Sequence, residues 1–187
     1  MIKVLWMFRA IWYKFFMDSF GLMSYIGKPI YISNFSNLSF GRKVRIYPLA
    51  RIEAFKTGKI IIGDDVSIGQ CLHIISGCRI VIGERSTLSA NVFISDVEHN
   101  YTGIDEHVMH QSLDSFEIEI GKNCFVGYGA VIRAGTRLGR QCIVGANSVV
   151  KGVFPDYCVI AGNPAKIIKK YDVVSQRWER VDGEMLR

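Results

Sequence analysis

Three of the four histidines in this 187-residue chain lie in one polar segment, residues 95–119, as His99, His107 and His110. An imidazole with an ordinary pKa near 6.5 exchanges protons at neutral pH, so a histidine that the fold holds rigidly can act as a general base. A lone histidine in a loop is more often a solvated surface residue. His99 differs because it comes only five residues after Ile94, the last apolar position before the polar segment.

The second group of candidate residues is basic, and it includes Lys166 and Lys169 near the C-terminus. The whole chain carries a formal charge of +6, which favours an anionic partner such as a phosphate or a lipid head group, although such a charge can also serve solubility alone. No basic run is longer than Lys169-Lys170, and no signature of a nucleic-acid-binding fold is present. A nucleic-acid partner is therefore not predicted.

Cysteine usage and the apolar N-terminus indicate where the protein works. The five cysteines form no CxxC pair, which favours free thiols in a reducing compartment. Charges at Lys3, Arg9 and Lys14 interrupt the apolar start, so neither a signal peptide nor a membrane span is predicted. These features predict a cytoplasmic protein, with the inner face of the cell membrane as an alternative location.

A six-residue repeat must position these side chains. From residue 120 to 150 an aliphatic residue returns at every sixth position, at Ile120, Val126, Ile132, Leu138, Val144 and Val150. Three upstream triplets keep the same spacing, at Phe40, Ile46 and Ile52, at Ile62, Ile68 and Ile74, and at Ile82, Leu88 and Ile94. Six matches neither a helix nor simple strand alternation, and it indicates a repeat protein.

The repeat predicts a triangular coil of three short strands, with about 18 residues in each turn. We expect an all-β fold, a parallel β-helix of about five coils over residues 40–155, with the active-site loop at residues 95–119. Residues 1–39 would form an N-terminal helix and lead-in, and residues 156–187 a C-terminal segment, a short helix or extension, that packs on the β-helix. Cys124 and Cys142, 18 residues apart, would stack inside the prism in a structural role.

The hexads, together with the ending VFPDYCVIAGNPAKIIKK, resemble the hexapeptide-repeat acyltransferases. Within them the chain looks most like the maltose, galactoside and Nod-factor O-acetyltransferases and the capsule or lipopolysaccharide O-acetyltransferases. This resemblance implies a left-handed coil, a homotrimer, acetyl-CoA as co-substrate and no required metal.

The resemblance also implies the site residues. The stretch DVEHNY resembles the catalytic segment of the family, which makes His99 the general base and Asp96, or Glu98, the group that holds its tautomer. No nucleophile is implied. Three further motifs, VGYGAV, VGANSVVKG and AGNPAKIIKK, match the coenzyme A groove and place there Gly127, Tyr128, Ala146, Lys151, Lys166 and Lys169. Phe125 stands where the family usually has tryptophan.

The function that follows is acetyl transfer from acetyl-CoA to a sugar hydroxyl in capsule, O-antigen or exopolysaccharide synthesis. Alternatives are N-acetylation of a nucleotide-linked amino sugar, acetylation of an antibiotic, a zinc carbonic anhydrase on the same fold, and a scaffold without catalysis. The roles of His73, His107 and His110 stay open. The N-terminal helix is predicted to cap the first coil or to pack on a neighbouring subunit, with peripheral membrane contact as the alternative.

Overall fold

The computed structural model describes residues 2–181 and shows a parallel β-helix of about seven turns. Three parallel sheets form the faces of a prism. Face 1 contains Ser19–Phe20, Leu38–Phe40, Lys59–Ile62, Arg79–Ile82, Ile118–Ile120, Arg137–Leu138 and Val153–Phe154. Face 2 contains Tyr25–Ile26, Arg45–Ile46, Ser67–Ile68, Thr87–Leu88, Phe125–Val126, Ile143–Val144 and Cys158–Gly162. Face 3 contains Tyr31–Ile32, Arg51–Ala54, His73–Ser76, Phe93–Ser95, Val131–Ile132 and Val149–Val150.

The six-residue repeat produces this prism because the repeated residue of each strand points inward. Equivalent residues pair in register between neighbouring turns, as Ile82 does with Ile120 and Ile94 with Ile132. All of the repeated aliphatic residues in turns two to six are buried. Burial of one such side chain contributes roughly 1.5–3 kcal/mol before the cost of ordering the chain, so the stacked turns share one continuous core.

Glycine follows the repeated residue because neighbouring turns approach closely there. A Cβ atom added at Gly121 would lie 2.5 Å from the carbonyl oxygen of Gly139, and one at Gly127 would lie 2.6 Å from the backbone nitrogen of Ala146. Both positions therefore exclude a side chain for steric reasons.

The predicted number of coils, about five, was too low. An additional turn precedes residue 40, inside the predicted lead-in, and its inward residues Phe20, Ile26 and Ile32 keep the six-residue spacing. At the other end Phe154 pairs with Leu138, and the coil continues into Cys158–Gly162. The handedness of the coil stays a prediction from the family resemblance.

Of the two forms predicted for the C-terminal segment, a short helix or an extension, the described residues adopt the extension. Ala165–Asp172 turns back as a strand that pairs antiparallel with Cys158–Gly162, and Arg177–Arg180 adds a further antiparallel strand. The basic segment therefore extends face 2. Residues 182–187 of the predicted C-terminal segment lie outside the described residues.

The N-terminal helix, Ile2–Tyr13, caps the first turn as predicted. Ala10 and Met17 are buried in the core, and the Trp6 ring lies 5.8 Å from that of Tyr25. The guanidinium of Arg9 donates a hydrogen bond of 3.0 Å to the carbonyl oxygen of Ile26. The helix thus covers core that the end of the solenoid would otherwise expose.

Candidate active site

The polar segment after residue 95 forms an ordered hairpin. Val97–His99 pairs antiparallel with Leu113–Ser115, and the chain rejoins the coil at Ile118–Ile120. The Gln111 amide closes the tip by accepting from the backbone nitrogen of Gly103 at 2.9 Å and donating to the carbonyl oxygen of Gly103 at 3.1 Å. The corner between face 3 and face 1, from which the hairpin projects, is called the hairpin corner below.

Asp96 fixes the root of this hairpin. The side chain is fully buried, and its carboxylate accepts hydrogen bonds from the Ser76 hydroxyl at 2.8 Å, the Gly77 nitrogen at 2.5 Å and the Cys78 nitrogen at 3.2 Å. Burial, and then the Asp96 carboxylate, raise the pKa of the Cys78 thiol to about 11, so this thiol stays protonated at neutral pH.

These partners differ from the one predicted for Asp96, which was the imidazole of His99. Both carboxylate oxygens bond to the turn at residues 76–78, so in this geometry Asp96 supports His99 by anchoring the strand that carries it. A direct bond between Asp96 and His99 stays a prediction.

His99 ends the first strand of the hairpin and is exposed to solvent. Successive residues of a strand point to opposite sides, so His99 shares a side of the hairpin with Val97, while Glu98 points the other way. A Cβ atom added at Gly77 would lie 2.9 Å from Cγ2 of Val97, which places that side of the root against the turn at Gly77. The imidazole is thus carried on a short strand with a rigid base and remains accessible.

Glu98 joins the hairpin to the two following turns. One carboxylate oxygen accepts from Arg133 at 2.8 Å and from Lys151 at 2.9 Å, and the second accepts from Lys151 at 3.1 Å. The positive charges of Lys151 and, to a smaller extent, Arg133 lower the pKa of the Glu98 carboxyl below its usual value. The sequence interpretation missed Arg133, although it lies 18 residues before Lys151 at the same position of the repeat.

The other histidines have different surroundings. His107 Nδ1 accepts from the Met109 nitrogen at 3.1 Å and caps the short helix Val108–His110. His73 lies on the wall of face 3, with Nε2 3.5 Å from the Glu53 carboxylate and its ring edge-on to Phe93 at 5.1 Å. Within residues 2–181, no group of three His, Cys, Asp or Glu side chains has a geometry that could hold a metal ion.

A column of small residues runs along the edge of face 2 toward the C-terminus. Gly127 donates its backbone N–H to Val144, and Gly145 donates to Ile160, which sets Gly127, Gly145 and Ala161 one above another in successive turns. Ala161 pairs in turn with Lys166. We call Gly127, Gly145 and Ala161 the small-residue column, and the corner between face 2 and face 3 the column corner. The sequence interpretation named Gly127 but missed the other two.

A β-bulge puts both predicted phosphate-binding lysines on the outer side of face 2. Residues three apart on a regular strand point to opposite sides, but here Lys166 pairs with Ala161 and Lys169 with Val159. Ala161 and Val159 are two residues apart and share a side. Ile168 is therefore the extra residue of the bulge, and it gives Lys166 and Lys169 a common orientation that a regular strand would not give them.

The other predicted groove residues also lie at the column corner. Ala146 directly follows Gly145, Tyr128 directly follows Gly127, and both Ala146 and Tyr128 are exposed. The hydroxyl oxygen of Tyr128 accepts a hydrogen bond from the Asn91 amide at 2.5 Å. The exposed Phe125 ring precedes them on the same face. The geometry thus brings together Gly127, Tyr128, Ala146 and Lys166, with Lys169 farther along the same face.

Lys151 does not belong to this group, because it lies at the hairpin corner in contact with Glu98. Six residues separate Gly127 from Arg133, and six separate Gly145 from Lys151, so face 3 lies between the two corners with a width of at most about 20 Å. The predicted site residues therefore form two groups in one chain, the hairpin that carries His99 and a small-residue column that ends in lysines.

Comparisons with known proteins place this architecture in a family. A sequence profile described as hexapeptide repeat of succinyl-transferase matches residues 59–96 and 117–151. The chain is 34% identical over 159 residues to WbbJ of Escherichia coli (strain K12), named as a lipopolysaccharide biosynthesis O-acetyl transferase, and the match covers 81% of each protein. This chain belongs to the hexapeptide-repeat acetyltransferases. It is an acyl-CoA-dependent enzyme, as the resemblance predicted.

Solved structures share the fold. AntD, an N-acyltransferase from Bacillus cereus in complex with dTDP and coenzyme A, matches with a TM-score of 0.75 at 21% identity, over 89% of this chain and 91% of that one. A galactoside acetyltransferase in complex with coenzyme A matches with a TM-score of 0.62 at 23% identity, over 93% and 75% of the two chains. Among residues 2–181, no helix has the length and apolar composition that a membrane span requires.

Proposed function

We propose that this acetyltransferase moves an acetyl group from acetyl-CoA to a sugar hydroxyl during the synthesis of a surface polysaccharide. The observation that carries the proposal is the pair of corners: an accessible imidazole on an anchored hairpin, and a small-residue column that leads to two outward lysines. Similarity to WbbJ, named as a lipopolysaccharide biosynthesis O-acetyl transferase, supports the choice of acceptor.

The column corner fits the donor. Coenzyme A combines a long, thin arm with anionic phosphates. Gly145 and Ala161 place little or no side chain along this edge, which would leave room for the arm, and Lys166 and Lys169 would supply positive charge at one end for the phosphates. Tyr128 and Ala146 would line the same wall. Lys151 lies at the hairpin corner in contact with Glu98, so it would reach this donor only from a neighbouring chain.

The hairpin corner fits the base. Neutral His99 would remove the proton of the acceptor hydroxyl as its oxygen attacks the thioester carbonyl carbon. The carbon–sulfur bond then breaks, and the imidazolium returns the proton to the leaving thiolate. Positioned proton transfer of this kind is worth typically about 10²–10⁴ in rate. Asp96 and Glu98 would keep the hairpin in place, one by anchoring its root and the other by contacting Arg133 and Lys151.

A homotrimer would bring the two groups together. Within one chain the column corner and the hairpin corner lie on opposite edges of face 3. A cyclic trimer brings unlike surfaces of neighbouring chains into contact, so the hairpin of one chain can face the column of the next. Each active site would then draw its base from one subunit and its donor wall from another.

Subunit complementation tests this arrangement. His99→Ala should lower transfer at least about 100-fold while the chain still binds acetyl-CoA, and Ala161→Phe should block the column without touching the base. Co-expression with two affinity tags and tandem purification isolates mixed oligomers. A shared site predicts that mixed oligomers regain activity, because in every mixed trimer one of the three sites combines an intact hairpin with an intact column. Activity no higher than that of either variant alone would contradict it.

N-acetylation of a nucleotide-linked amino sugar is the second candidate. A further crystal structure shows AntD, an N-acyltransferase, in complex with dTDP-4-amino-4,6-dideoxyglucose and coenzyme A. Its fold matches that of this protein over most of both chains. The linkage of the product decides between the two reactions. An O-acetyl ester is cleaved by hydroxylamine, whereas an N-acetyl amide resists it, and mass spectrometry before and after treatment distinguishes them.

A further inference from the structure

The N-terminal helix is apolar on both sides, and only one side is covered. The inner side packs on the first turn through Trp6, Ala10 and Tyr13. On the outer side Phe8 is 65% exposed, Trp12 is 62% exposed, and Phe15 just beyond the helix is 79% exposed. Capping the solenoid accounts for the inner side alone, so the outer row of aromatic and aliphatic side chains requires another explanation.

The positive charge of the protein is concentrated at the same end. Residues 1–52 contain eight Lys and Arg and one acidic residue, Asp18, a net charge of +7, whereas the whole chain carries +6. Three of these cations are neutralised in the structure, by ion pairs of Arg42 with Asp64, Arg45 with Asp65 and Arg51 with Glu53.

The remaining five cations have no ion pair among the described residues, and they are Lys3, Arg9, Lys14, Lys28 and Lys43. The N-terminal end therefore combines exposed aromatic side chains with uncompensated positive charge.

A cavity beside the helix adds a place for an anionic group. It has a volume of about 440 Å³ and lies between the helix and the first turn. Arg9 and Lys28 contribute the positive charge of its lining, and Tyr13, Tyr31 and Phe35 contribute aromatic rings. A phosphate that enters here meets two cations, while apolar chains next to it meet the exposed row of Phe8, Trp12 and Phe15.

We propose that this end of the molecule docks on a membrane surface that contains anionic phospholipid. Aromatic residues flanked by lysines are the pattern of helices that lie in a bilayer interface, where apolar insertion and attraction to anionic lipid act together. A second copy of this chain fits the surface less well, because two such ends would bring like charges together.

Co-sedimentation of the full-length protein with vesicles tests the proposal. Vesicles of phosphatidylcholine alone are compared with vesicles that contain phosphatidylcholine and phosphatidylglycerol at about three to one. We expect binding to the anionic vesicles to be at least about tenfold tighter, and to weaken as salt rises toward about 1 M. Absence of binding to both kinds of vesicle would overturn the proposal, and would leave an acidic protein partner as the alternative.

Two variants separate the apolar and the charged contributions. Combining Phe8→Ser, Trp12→Ser and Phe15→Ser should weaken binding at least about tenfold, because the inserted apolar area is lost. Combining Lys14→Glu and Lys28→Glu should weaken binding at least about 20-fold through charge, and it keeps the test decisive if the first variant folds poorly. A control variant with Val173→Ser and Val174→Ser removes exposed apolar side chains from the C-terminal segment and should bind like the parent.

Two outcomes would contradict membrane docking through this surface. The first is equal binding by the parent and both N-terminal variants. The second is a change in the number of subunits of the aromatic variant in sedimentation equilibrium without lipid, which would show that another copy of the chain covers the row.

Discussion

The hairpin corner and the column corner are built in opposite ways. At the hairpin corner, side chains determine the structure: the Asp96 carboxylate bonds to the turn below it, and Glu98 joins the hairpin to Arg133 and Lys151. At the column corner, backbone hydrogen bonds between successive turns determine the structure, and the residues there carry little or no side chain. Substitutions that remove a side-chain group should therefore impair the hairpin corner. Substitutions that add a side chain should impair the column corner.

Removal of the Asp96 carboxylate should have the largest effect on stability. Asp96→Ala leaves the backbone nitrogens of Gly77 and Cys78 without their acceptor, and each such orphan costs about 1–3 kcal/mol, whereas the Ser76 hydroxyl keeps the carbonyl oxygen of Lys59. We expect the free energy of unfolding, measured by urea denaturation, to fall by about 3 kcal/mol or more. Asp114→Ala, in the exposed second strand of the same hairpin, is the matched control and should change it by less than about 0.5 kcal/mol. Equal stability of both variants would show that Asp96 does not anchor the hairpin.

Addition of a side chain to the column should affect binding rather than folding. Ala161 lies on the outer side of face 2, so Ala161→Phe should leave the unfolding transition unchanged while weakening acetyl-CoA binding at least about tenfold in a calorimetric titration. Val153→Phe introduces the same ring on the exposed surface of face 1 and should bind like the parent. Tight binding by Ala161→Phe would place the donor elsewhere.

Removal of the Glu98 charge should have the smallest effect, and one that depends on pH. The cations Lys151 and Arg133 lower the folded-state pKa of Glu98, so its contribution is present above the pKa of the unfolded chain and is lost as pH falls through the folded-state value. Because the group is partly exposed, Glu98→Gln should cost at most about 1 kcal/mol at neutral pH. The difference between the parent and the variant should shrink below about pH 4.3, the ordinary pKa of a glutamate, and disappear below the lower folded-state pKa. A difference that persists in acid would mean that packing, not charge, holds Glu98.

Chain periodicity was enough to predict the β-helix, since a six-residue apolar repeat has few other ways to bury its side chains. It missed the first turn because Phe20, Ile26 and Ile32 lie in the stretch that was assigned to the N-terminal helix and lead-in, although Gly21 and Gly27 directly follow Phe20 and Ile26. It also left the segment that contains AGNPAKIIKK as a short helix or an extension. Its mixture of apolar and basic residues allows either structure, and only the free edge of the last face 2 strand decides in favour of pairing.

The sequence by itself determined the prism, the polar insertion after residue 95 and the place of His99 at its root, because these follow from local spacing. Only the tertiary structure decided which partners the charged residues have. Asp96 bonds to residues 76–78 and Glu98 to Lys151, contacts 18 to 53 positions apart along the chain. The stacking of turns sets such contacts. The same stacking aligns Gly127, Gly145 and Ala161 into a column. A bulge at Ile168 turns Lys166 and Lys169 to the same side of the strand, and no local sequence pattern predicts that bulge.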